Sequence, residues 1–138
     1  MNNMDFINKK LSKEEVKLIQ PLVLAYIGDS VYELYIRLFL MEKLRKKPHE
    51  LHVMAIKYVS AKAQADILYK ITKELTDEEK DIVRRGRNAK NHHVPKNTDV
   101  RVYMYSTAFE TLIGFLYLSG KKDRLKYILE LCTKLTII

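Results

Sequence analysis

Apolar residues along this chain recur at helical spacing, and no segment shows the sustained alternation of a half-buried strand. Ser12-Lys-Glu-Glu15 has the form of a capping box, which predicts a first helix from about Lys13. Pro21 suits the first turn of a second helix, because the amide that proline lacks has no partner there. From Leu22 to Leu44 the run LVLAYIGDSVYELYIRLFLMEKL is apolar almost all round, the pattern of a central helix. Lys43, Arg45, Lys46 and Lys47 close it with charge that favours a helix C-terminus. Pro48 opens a helical stretch that reaches about Leu75, with a joint at Ser60. Thr76-Asp-Glu-Glu79 is a second capping box, and its short helix is expected to stop at Gly86. Residues 87–98, RNAKNHHVPKNT, lack periodicity and are rich in turn formers, so a loop is expected. A helix follows from about Asp99 to Leu118, Gly120 ends it, and Lys121 to Leu135 form the last. The expectation is an all-α fold in a single domain, 1–138, with its core in about 12–135.

Composition agrees. Hydrophobic residues make up 47% of the 138, enough for a core, and only four glycines and three prolines interrupt the helices. The length suits one domain and is too short for a catalytic domain of ordinary size plus a separate RNA-binding module. Against 17 Asp and Glu stand 25 Lys and Arg, and the resulting +8 points to a polyanionic partner, most often nucleic acid. Cys132 is the one cysteine, so no internal disulfide forms; His49, His52, His92 and His93 lack zinc-finger spacing. MNNMDFINKK has no apolar core of a signal peptide, and no stretch approaches the ~20 apolar residues that span a bilayer. A cytoplasmic protein, away from membranes, is expected.

Two carboxylates stand where such helices should carry none. Asp29 lies in the middle of the longest apolar run, on one stripe with Leu22, Tyr26 and Glu33; Glu110 lies between Phe109 and Leu112 in STAFETLIGFLYL. A carboxylate on a mostly buried helix is costly unless something compensates it. A cation held between the two would compensate both, and magnesium takes such oxygen ligands together with water and substrate phosphate. Capping is the competing explanation: Asp29 follows Gly28, where a helix can restart, and Thr107-Ala-Phe-Glu110 also fits a capping box.

LAYIGDSVYELYIR (residues 24 to 37) resembles the signature of ribonuclease III, and TAFETLIGFLYL (107 to 118) resembles that family's second acidic motif. VSAKAQADIL (59 to 68) and RGRNAK…PKNTDV…YMYSTAFETLIG (85 to 114) are similar to one branch, the Mini-ribonuclease III proteins. The resemblance implies an all-α endonuclease domain that dimerises through its signature helix, with one magnesium-dependent site per protomer at the ends of a valley holding double-stranded RNA. Each site cuts one strand. The Mini-III branch lacks a separate double-stranded-RNA-binding domain and matures the ends of precursor 23S ribosomal RNA, which leaves room for a ribosomal protein as a further partner. The resemblance places Asp29 on the signature aspartate and Glu110 on the second-motif glutamate. Two carboxylates of the wider family are missing, with Ala25 and Thr107 at their positions. Glu33 and Glu50 are candidate auxiliary ligands, though exposed helix charges explain each as well.

Between Arg84 and Arg101 the chain carries Arg84, Arg85, Arg87, Lys90, Lys96 and Arg101 beside hydrogen-bonding Asn88, Asn91, His92, His93 and Asn97. A basic, polar segment suits a phosphate backbone, and duplex RNA is read by shape without base-reading motifs. The apolar signature helix and Gly28 point to a two-fold dimer across residues 22–37, with Tyr26 and Val31 at the interface. A magnesium-dependent endoribonuclease is therefore expected. The alternative is a non-catalytic helical protein that docks on RNA or the ribosome, an idea favoured by the absent carboxylates and opposed by the presence of both Asp29 and Glu110.

Overall fold

A computed structural model describes residues 5–90 and 94–135. Among the described residues, 3-10 turns at Asp5–Asn8 and Thr72–Glu74 accompany seven α-helices: α1 (Lys13–Lys17), α2 (Pro21–Lys43), α3 (Pro48–Val59), α4 (Ala61–Ile71), α5 (Asp77–Asn88), α6 (Val100–Leu118) and α7 (Lys122–Leu135). No strand occurs among the described residues.

The local signals act as the chemistry requires. Ser12 and Thr76 each accept the backbone N–H of the glutamate three residues on, and that glutamate accepts the cap's own N–H. Pro21 and Pro48 occupy first turns. Ser60 ends α3 and caps α4, its Oγ accepting Ala63 N–H at 3.2 Å. Asp99 caps α6 through Arg101 N–H at 2.8 Å, and Gly120 takes the left-handed φ of +69° just past its end.

The helix at the centre is α6. Its residues from Ser106 to Leu116, Glu110 excepted, are all buried, and it packs against α2, α4, α5 and α7. The expectation that α2 is central is thus corrected. That helix buries a stripe at i, i+4 spacing, Leu24, Gly28, Tyr32, Ile36 and Leu40, and leaves Val23, Tyr26, Leu34, Leu38 and Met41 exposed on the other side. It reads as apolar all round because one face meets the protomer's own core while the other is uncovered.

Where α2 crosses α6 their backbones touch. A Cβ on Gly28 would overlap the carbonyl oxygen of Glu110, and one on Gly114 would overlap that of Leu24. Gly28 thus serves close packing inside the protomer, and not contact with a second chain as the sequence suggested. Gly86 corrects a second expectation, since α5 runs through it to Asn88. Its missing side chain makes room for α6: an added Cβ would lie 2.5 Å from Thr111 Oγ1 and 2.8 Å from Thr111 Cβ. Tertiary packing, not a helix stop, explains this glycine.

One ion pair ties α5 to α7. Glu79 is buried, and the Arg124 guanidinium grips both its oxygens, Nε to Oε2 at 2.9 Å and Nη2 to Oε1 at 2.6 Å. The same carboxylate accepts Thr76 N–H at 3.0 Å, so one side chain both caps α5 and docks α7.

Candidate active site

The Gly28–Gly114 crossing sets residue 29 on α2 beside residue 110 on α6. Asp29 is exposed and Glu110 half-buried. The stripe Leu22, Tyr26, Asp29, Glu33 therefore borders the surface, and Asp29 does not sit in a core as the sequence implied. Both capping explanations fall away, because α2 runs unbroken through residues 28–29 and α6 unbroken through 107–110.

Glu110 is held in an uncomfortable state. Burial, then the negative charge of Asp29, then a hydrogen bond with Asp29 that favours the protonated form, push its carboxyl up to about 8, while a hydrogen bond from Gln64 pulls the other way. Two carboxylates that meet at a half-buried spot repel each other when both ionise. A divalent cation removes the repulsion, and the donors gathered here are hard oxygen donors. The residues present therefore fit a divalent cation of this kind, which Asp29 and Glu110 could hold. Among the described residues no cluster of three or more His, Cys, Asp or Glu is placed to hold a metal. Ala25 and Thr107, at the two positions without carboxylates, are both buried.

The auxiliary candidates are engaged elsewhere. Glu33 accepts Arg37 Nη2 at 2.8 Å, and Glu50 pairs with Lys46 at 3.8 Å. Both act as solvated helix charges. Gln64, on α4, escaped the sequence reading although its segment VSAKAQADIL did not. It is a polar side chain 2% exposed, its Nε2 donating to Val59 O at 3.2 Å while its amide reaches Glu110. A glutamine among alanines on an amphipathic helix gives no sign by itself that it faces a carboxylate across the fold.

The basic residues gather at the junction of α5 and α6. Arg84, Arg85 and Arg87 lie on the last turns of α5, Lys90 just beyond, Lys96 in the connection, and Arg101 on the first turn of α6. Residues 87 and 88 are thus helical where a loop was expected, and Asn91, His92 and His93 lie outside the described residues. Arg87 lines a small cleft of about 110 Å³ together with Thr107, which lies one turn before Glu110 on α6. Two of its members also serve the fold: Arg84 pairs with Asp81, and Arg85 donates from Nη2 to Lys17 O at 3.1 Å, at the end of α1.

Of the two residues expected at a dimer face, Tyr26 is 75% exposed and Val31 only 8%. Val31 belongs to the core of its own protomer. It points inward because it adjoins Tyr32 on the α2 face that packs on α6, so it has little surface to offer a second chain.

No helix among the described residues is long and apolar enough to cross a membrane. The ribonuclease III domain family matches residues 22–121, which include both acidic residues and the basic segment. The chain is 52% identical to a Mini-ribonuclease 3 of Thermoanaerobacter sp. (strain X514), over 88% of this chain and 85% of that one. It is 53% identical to a Mini-ribonuclease 3 of Staphylococcus aureus, over 83% of this chain and 87% of that one. A crystal structure of a Fusobacterium nucleatum protein superposes with a TM-score of 0.77 at 32% identity, covering 87% of this chain and 96% of that one. With a helical fold, a paired-carboxylate site and these relatives in agreement, the chain belongs to the ribonuclease III family, among its Mini-ribonuclease 3 proteins, and is an endoribonuclease.

Proposed function

We propose that this endoribonuclease is magnesium-dependent, cuts double-stranded RNA as a homodimer, and trims the ends of precursor 23S ribosomal RNA in the cytoplasm. The observation that carries the chemistry is the meeting of Asp29 and Glu110, where Glu110 is pushed up to about 8 by burial and by its neighbour. Asp29 and Glu110 would hold the cation. When bound, a divalent ion supplies a water activated for attack near neutral pH and offsets the charge that builds on the phosphate. The rest falls to the chain's own groups. The buried flank of Glu110 keeps bulk water from one side of the site, and Arg87, Lys90, Lys96 and Arg101 neutralise duplex phosphates and set the strand's path toward the carboxylates. Arg84 and Arg85 bond Asp81 and Lys17 through Nη2 and keep their other N–H groups for phosphate. The ribosomal RNA substrate, and a ribosomal protein beside it, rest on the likeness to the Mini-III branch.

Duplex RNA incubated with the protein should be cut in magnesium and left whole in EDTA, while single strands of the same sequence survive both. Cutting in EDTA, or equal cutting of single strands, would overturn the reading.

The basic cluster has its own expected result. Arg87→Ala, Lys90→Ala and Lys96→Ala together remove three phosphate contacts and spare Arg85, which holds α1. Each lost contact should lower the slope of log affinity against log salt by roughly one, so the triple variant should lose about three. Cleavage should suffer at low RNA and recover at saturating RNA. Equal slopes for wild type and variant would leave these side chains without a role in binding.

A further inference from the structure

Gln64 is among the few polar side chains that the core takes in. Only 2% of it is exposed, and it sits on α4, a helix that packs against α6. Burying an amide away from water is costly unless its hydrogen bonds are remade inside. Here they are remade in a particular way. Nε2 carries two protons: one is given to Val59 O at 3.2 Å, at the end of α3, and the amide also reaches the Glu110 carboxyl on α6. The α3–α4 joint at Ser60 makes this possible, because Val59 is the last residue of α3 and its carbonyl lies outside the regular bonding of α4.

We propose that Gln64 is a positioning residue that fixes the Glu110 carboxylate for cation binding, its amide bridging from the Val59 carbonyl to Glu110. The inference rests on the reading of Asp29 and Glu110 as the cation's ligands. A glutamate side chain has three rotatable bonds, and on α6 its carboxylate is free to swing unless something ties it. Asp29 cannot do so when both are ionised, since two carboxylates repel. A neutral amide that donates, itself pinned to a backbone carbonyl, orients the carboxylate without adding charge. Such outer partners typically contribute ten- to hundredfold in metal affinity. With only Asp29 and Glu110 supplying charge, the orientation of each matters more than it would in a site with four carboxylates.

The test measures Mn²⁺ binding to RNA-free protein by calorimetry, for wild type, Gln64→Leu, Gln64→Asn and Asp29→Asn, with metal-free melting recorded for each. Gln64→Leu keeps the volume and removes both donors; Gln64→Asn keeps the amide but draws it back by one methylene. Expected is a roughly tenfold weaker Mn²⁺ affinity for Gln64→Leu and a smaller loss for Gln64→Asn. Cleavage should be restored toward the wild-type rate by raising metal concentration. A merely structural Gln64 would lower the melting temperature and leave Mn²⁺ affinity unchanged in the folded protein, and that result overturns the proposal. If Gln64→Leu fails to fold, Gln64→Asn decides alone, and affinity equal to wild type refutes it. Failure of the underlying reading looks different: wild-type protein would then bind no Mn²⁺, or bind it as tightly after Asp29→Asn.

Discussion

Asp29→Asn and Glu110→Gln should each reduce cleavage by on the order of a thousandfold or more and leave RNA binding close to wild type. Both changes keep shape and remove a negative charge where the cation would be held. Metal assistance in phosphodiester hydrolysis contributes several kcal/mol, and each ~1.4 kcal/mol is a factor of ten in rate. Two carboxylates share the task, so neither loss is cushioned by a third. The two variants should differ in stability. Asp29 is exposed, so Asp29→Asn removes only its repulsion of ionised Glu110 and should stabilise the metal-free fold less than Glu110→Gln does. Glu110 carries a pKa raised from 4.5 to about 8, which means that ionising it costs the metal-free fold. Below pH 4.5 the group is protonated whether the chain is folded or not, and nothing is lost. The cost grows from there to about pH 8 and is constant above. Glu110→Gln removes it, so at pH 8 and above the metal-free variant should be more stable than wild type, by a few kcal/mol at most. At pH 4 the two should melt alike. A dead enzyme with a sturdier fold at alkaline pH is the signature of a site strained for its ligand. Cleavage near the wild-type rate in either variant would remove that residue from the metal site.

The Glu110 helix also marks how far the sequence could be read. Helix starts were legible because they rest on local chemistry: Ser12 with Glu15, Thr76 with Glu79, and the prolines at 21 and 48 all act within one turn of themselves. Asp29 and Glu110 were legible as anomalies, ionisable groups in apolar runs. What stayed hidden depends on partners far along the chain. Gly86 looks like a helix stop until Thr111 is found packed against it. Gly28 looks like a surface for another protomer until the Glu110 carbonyl is found there. Gln64 looks like an ordinary polar position, and Arg85 like a phosphate contact alone, until their acceptors appear, in the glutamine's case on α3 and α6, in the arginine's at Lys17. The exposed face of α2 misled in a consistent way: an apolar face left uncovered has the composition of a core, so the helix reads as central.

That face leads to the second large effect, on assembly. Val23, Tyr26, Leu34, Leu38 and Met41 recur at spacings of three, four and eight along α2 and are all exposed, with Tyr26 at 75%. A row of exposed apolar residues on a helix whose opposite face is already packed suits an association surface. If two copies meet there about a two-fold axis, every residue of the strip is used twice. Tyr26→Asp would then bring two carboxylates into one apolar contact. Leaving a charge unpaired in such a place costs several kcal/mol, and ~4 kcal/mol weakens a dimer by about a thousandfold. The wild type should therefore be a dimer by light scattering at micromolar concentration, and Tyr26→Asp a monomer. The protomer's fold should survive, because Tyr26 contributes nothing to the buried core. Val31→Asp cannot replace it in this experiment: Val31 is a core residue, and a charge there should unfold the protomer before it reports on assembly. Cleavage should change in kind as well as rate. A dimer brings two sites to one duplex and leaves double-strand breaks, visible as short fragments under native conditions. A monomer brings one site, so its residual products should be nicks, which stay full-length in a native gel and fragment only on denaturation. A wild-type monomer at micromolar concentration that still makes double-strand breaks would refute the dimer and the role of Tyr26 together.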